Sequence, residues 1–125
     1  MIEVERVDFV SVLTRDIQRA KQFYAETLGL ELESEGESDM EFRCGQVTLD
    51  VFDPRSIGQE FAPSPAGLAL RVADVEAARV ELEAKGVVFE GEILDTGVCH
   101  MAMFADPDGN QLVLHNRYAP YDAAR

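Results

Sequence analysis

Residues 9–30, FVSVLTRDIQRAKQFYAETLGL, decide the fold. Val7, Phe9, Ser11 and Leu13 alternate with Asp8, Val10 and Val12, the period of a strand that shows a different surface on each side. Asp16 follows as a helix N-cap, because its carboxylate can accept from the free N–H groups of a first turn. Ile17, Ala20, Tyr24 and Leu28 then recur at helical spacing, and Gly29 supplies the left-handed stop. Residues 67–87, GLALRVADVEAARVELEAKGV, say the same thing again, with Asp74 standing 58 positions after Asp16 (74 − 16). There Val75, Ala78 and Leu82 form the apolar stripe and Gly86 ends it. A repeat of this size predicts two similar modules joined in one chain.

Three short strands are expected after each helix. In the first module they fall at about 30–35, 40–44 and 47–52; in the second, at about 87–92, 99–104 and 111–116. Asp106-Pro107-Asp108-Gly109-Asn110 joins the last two, with Pro fixing a turn angle and Gly accepting positive φ. Residues 53–66, DPRSIGQEFAPSPA, carry three prolines and read as an ordered-to-extended linker, and residues 117–125 read as a tail with little periodicity. Module one thus spans about 5–52 and module two about 67–116, within a single domain of 125 residues.

A composition of 46% hydrophobic and 28% charged residues is that of a soluble globular protein. The acidic start MIEVERVDFV has no apolar core of a signal peptide, and no apolar run is long enough to span a bilayer. Cys44 and Cys99 stand far apart without a CxxC pair, which fits small buried hydrophobes in a reduced cytoplasmic protein. With 24 acids against 11 bases the net charge is −13, which repels phosphate backbones and anionic lipid heads. Neither nucleic acid nor membrane is therefore expected as a partner.

The stretches RDIQRAKQFYAETLGL, VADVEAARVELEAKGV and FADPDGNQLVLHN, in this order and spacing, closely resemble the vicinal oxygen chelate superfamily of glyoxalases, bleomycin-resistance proteins and extradiol dioxygenases. The resemblance covers nearly the whole chain. It implies an α+β fold of two βαβββ modules whose curled mixed sheets enclose a central pocket. It does not imply one reaction, since the fold hosts lyases, isomerases, dioxygenases and plain drug binders.

Period-two alternation assigns the strand faces. Leu49 and Val51, Leu68 and Leu70, and Leu112 and Leu114 should face the helices. Thr48, Asp50, Phe52, Ala69, Arg71, Val113 and His115 should then face the pocket. In metal-bearing relatives His, Gln or Glu occupies one position on the first and last strand of each module. Carried onto this chain, those positions are Phe9, Thr48, Gly67 and Val113. Phe, Gly and Val have no donor atom and a neutral Thr hydroxyl is a poor transition-metal ligand, so no metal and no other cofactor is expected.

Three readings follow. In the first, the chain is a metal-free binder of a small aromatic or cationic compound, held by Phe9, Ser11, Thr48, Asp50, Phe52, Arg71, Met101, Met103 and Val113, with Phe104 also near the pocket. In the second, it is an enzyme with glyoxalase-like or dioxygenase-like chemistry at a displaced site. A turn centred on Pro107-Asp108 would set His100 directly opposite His115, and this pair with Asp50 could hold a metal or move a proton. In the third, it is a scaffold without a ligand. Arg71 can offer its fork to a ligand carboxylate or reach an acid at the strand end. The resemblance also implies a homodimer, because relatives cover sheet edges and apolar patches by pairing.

Overall fold

The computed structural model describes residues 1–121; of the tail expected at 117–125, the last four residues lie outside the described part. The chain divides into two compact units, Met1–Ser64 and Pro65 onward. Each carries one four-stranded mixed sheet and one principal helix, the βαβββ order expected from the repeat.

In the first unit β1 (Phe9–Leu13) leads to α1 (Ile17–Lys21), followed by β2 (Glu31–Glu35), β3 (Asp39–Cys44) and β4 (Val47–Phe52). The sheet order is β1-β4-β3-β2, with β1 parallel to β4 and the remaining pairs antiparallel. Asp16 caps α1 by accepting from the Arg19 N–H at 3.0 Å, as its position predicts. The helix does not stay α-helical. From Gln22 to Thr27 it widens into a π-helix, in which the Leu28 N–H reaches the Phe23 carbonyl at 2.9 Å. The wider turn places the adjacent Phe23 and Tyr24 both inside, their rings edge to face with centroids 5.2 Å apart. An i, i+4 stripe cannot reveal that step.

The linker expected at 53–66 is partly structured. Asp53 caps a 3-10 turn, Pro54–Ile57, whose buried Pro54 opens it.

In the second unit β5 (Leu68–Arg71) precedes α2 (Val75–Ala84), β6 (Phe89–Asp95), β7 (Cys99–Ala105) and β8 (Gln111–Arg117), in the sheet order β5-β8-β7-β6. Asp74 caps α2 through the Ala77 N–H at 3.0 Å. Helix α2 packs on β6, β7 and β8. Ala102, Phe104, Leu112 and Leu114 form the covered face, and Phe89 stacks on Phe104 with centroids 5.0 Å apart. Phe104 is therefore a core residue and not a lining of the open face. It alternates with Met103, so only one of the two can point away from the helix.

The last hairpin departs from expectation by one residue, and the consequence is large. Its loop holds three residues, Pro107 to Gly109, closed by the Asp106 N–H donating to the Asn110 carbonyl at 2.9 Å. Gly109 takes a φ of 91°, the left-handed position that follows a type I turn in such loops. The buried Asp106 carboxylate accepts from the N–H groups of Asp108 and Asn110, both at 2.9 Å, and from the Asn110 side-chain amide at 2.8 Å. The turn is thereby centred on Asp108, and His100 pairs with Asn116 while Met101 pairs with His115. A one-residue slip exchanges faces. His100 and His115 lie on opposite faces of the sheet.

Candidate functional site

On the first sheet, partners across the ladder share a face. Phe9 stands beside Thr48, Ser11 beside Asp50 and Leu13 beside Phe52, all opposite to the buried Val12, Leu49 and Val51. Asp39 and Glu41 continue the rows from β3. The Ser11 hydroxyl donates to the Asp50 carboxylate at 3.2 Å. Asp39, Glu41 and Asp50 bring carboxylate oxygens within 4.8 Å of one another. Burial raises the Asp50 carboxyl above the ordinary value of 3.8; Asp39 and Glu41 add to the rise, while the Ser11 hydrogen bond opposes it. A cleft of about 280 Å³ is lined by Arg6, Asp8, Phe9, Glu41, Gln46 and Thr48. This open face thus joins aromatic and aliphatic surface to a negative patch.

On the second sheet, the open face consists of two rows. Ala69, Val113, Met103 and Glu90 make one, with Val113 itself nearly covered; Arg71, His115, Met101 and Leu94 make the other. Gly67 passes so close that a Cβ there would lie 2.8 Å from Val113 Cγ2.

Phe9, Ser11, Thr48, Asp50 and Phe52 share one open face, and Arg71, Met101, Met103 and Val113 share the other. His115 joins the second group. His100 does not. It sits on the helix side, at the end of the sheet, in a groove of about 690 Å³ beside the start of α2. Its Nε2 lies 3.3 Å from Asp95 Oδ2, and its ring is 4.9 Å from that of Tyr118. Tyr118 donates to Asp95 Oδ1 at 2.7 Å. The Gly97 N–H and then the Tyr118 hydroxyl hold the Asp95 carboxyl below its ordinary value, and the bond to Asp95 raises the Tyr118 phenol. Tyr118 was hidden from sequence reading because it follows the last periodic strand residue.

The displaced two-histidine site is corrected by this register. A metal, or a proton relay through both rings, needs both imidazoles on one side of the sheet, and they are on opposite sides. The metal position that the resemblance implies also finds no suitable residues. Phe9 and Thr48 are ladder partners there on the first sheet, and Gly67 and Val113 touch on the second. Carbon side chains and one hydroxyl do not make a divalent-metal donor set.

A family profile described as the Glyoxalase/Bleomycin resistance protein/Dioxygenase superfamily matches residues 6–114. The chain belongs to that superfamily. Among solved structures, it is similar to an antibiotic binding protein from Streptomyces sp. CB03234, with 29% identity, a TM-score of 0.78, and coverage of 94% of this chain and 99% of that one. A glyoxalase/bleomycin resistance protein from the same Streptomyces strain is 30% identical over 89% of this superfamily member and 100% of that chain, with a TM-score of 0.72. Lactoylglutathione lyase from Agrobacterium tumefaciens shares the fold, with a TM-score of 0.77 at 20% identity over 90% of this chain and 93% of that one. Comparison with curated proteins found no match. Among the described residues no helix is long and apolar enough to cross a membrane.

Proposed function

We propose that this superfamily member is a small-molecule binding protein that works without a metal at the superfamily position and takes an aromatic guest, neutral or cationic. The observation that carries this reading is the composition of the two open faces. Where metal-bearing relatives place ligands, the first unit places Phe9 and Thr48, with Phe52 on the same face, and the second places Gly67 and Val113, with Met101 and Met103 on the same face as Val113, so each face offers apolar or polarisable surface. Ser11 and Asp50 add a hydrogen-bonded polar point, and the Asp39, Glu41 and Asp50 patch favours a cation on the first face. Similarity to an antibiotic binding protein supports the same class of activity.

A ligand that binds only the folded form raises the melting temperature with the logarithm of its concentration. Thermal-shift titrations should therefore show stabilisation by neutral and cationic aromatics and little by organic phosphates at equal concentration. Stabilisation by phosphates alone would overturn the reading.

We further propose that the chain acts as one domain in the cytoplasm, its free Cys44 and Cys99 suiting a reducing compartment, and that it pairs as a two-fold homodimer. Val7 and Phe9 are exposed at 55% and 60%, apolar surface that a second copy could cover. Sedimentation should give twice the chain mass at micromolar concentration; a monomer there would exclude the dimer.

A further inference from the structure

The open face of the second sheet carries a basic point that its surroundings leave unused. Arg6, Arg43, Arg55 and Arg79 each pair with a carboxylate, and Arg15 and Arg117 lie over the rings of Phe61 and Tyr121. Arg71 differs. Among the described residues its side chain has no hydrogen bond, ion pair or ring contact, in a chain with 24 acids to choose from. Its ladder partner on β8 is His115, whose imidazole likewise has no partner among the described residues. Paired positions on neighbouring strands hold their side chains side by side on one face. A guanidinium fork and an imidazole N–H therefore end a surface whose next positions are Met101, Met103, Val113 and Ala69.

We infer that Arg71 and His115 form a subsite for a single carboxylate carried by an aromatic ligand whose body, itself neutral or cationic as in the proposed function, lies along the methionine and valine rows. The inference rests on reading this face as ligand-facing and adds the ligand's acidic group. Chemistry selects a carboxylate. Its two oxygens match the planar fork in a bidentate pair, and the imidazole supplies one further donor. The chain's net charge of −13 does not forbid this, since at physiological salt a charge is screened beyond about 8 Å while a direct contact is not. A doubly charged phosphate would meet more of that repulsion.

The test compares naphthalene-2-carboxylate with naphthalene-2-carboxamide, which share an aromatic body and differ in charge, by calorimetric titration of the full chain. The carboxylate should bind at least tenfold more tightly. Arg71→Gln should bring the two to equal affinity, Arg71→Lys should restore part of the preference, and His115→Gln should reduce it severalfold. Because Arg71 is exposed and makes no hydrogen bond, ion pair or ring contact with described residues, Arg71→Gln should melt near the wild-type temperature without ligand. Equal affinity of the wild type for both probes would overturn the subsite while leaving the aromatic-binding reading intact. A carboxylate preference that survives Arg71→Gln, or binding of neither probe, would also overturn it.

Discussion

Phe104→Ala is expected to destabilise the second unit by about 3–5 kcal/mol, the range for removing a large aromatic from a packed core. Phe104 is fully buried, pairs with Leu112 across the ladder and stacks on Phe89. Truncation removes its ring from between the sheet and α2 and leaves a cavity that fixed strands cannot close. Against a typical domain stability of about 5–15 kcal/mol, that loss should lower the urea midpoint severely. Phe104→Leu, which refills most of the volume, should recover the larger part. Met103→Ala, one residue away on the half-exposed face, should change the midpoint far less. The contrast matters more than either value. If Met103→Ala proved the costlier, the face assignment of β7 would be reversed, and with it the placing of every open-face residue on that strand.

Asp106→Ala should cost about 2–4 kcal/mol by a different mechanism, the loss of acceptors for buried donors. No cavity of consequence forms, but one buried carboxylate accepts three hydrogen bonds, two from backbone N–H groups and one from Asn110. Asn110 is itself 1% exposed, so its released donors cannot reach water. Leaving such donors unsatisfied costs more than the bonds contribute net when formed. Asp106→Asn keeps one acceptor oxygen for the two backbone donors and sets an amide against the Asn110 amide, so it should fall between wild type and alanine. Urea unfolding of the two variants measures both. Equal stability of wild type and Asp106→Ala would show that the loop, and hence the register it sets, is held by something else.

That loop explains how much of the molecule the sequence made legible. The order of elements along the chain, helix caps at Asp16 and Asp74, and the inward rows Leu49–Val51, Leu68–Leu70 and Leu112–Leu114 all followed from local periodicity and capping chemistry, and the structure has them. The His100–His115 pairing did not, because it required counting the residues in a turn. Pro107-Asp108 reads equally well as the centre of a two-residue loop and as the opening of a three-residue one. Only the Asp106 carboxylate, folded back onto Asp108 and Asn110, decides between them. The π-helical turn was hidden for a similar reason: Phe23 and Tyr24 are consecutive, and periodicity assigns only one of two neighbours to the interior. Arg71 shows a third kind of limit. Sequence allowed either an ion pair or an unpaired fork at this position, and the choice depended on which acids the fold brings near it.

This superfamily member is proposed to bind aromatic molecules through side chains and not through a metal. The most direct test is titration of naphthalene-2-carboxamide into protein stripped with a chelator, repeated after adding excess zinc, manganese or nickel. Binding with the same affinity in all four samples is the predicted result, since neither Phe9 and Thr48 nor Gly67 and Val113 supply a metal donor set. Binding that appears only when one of the metals is restored, with one equivalent of that metal retained, would contradict it.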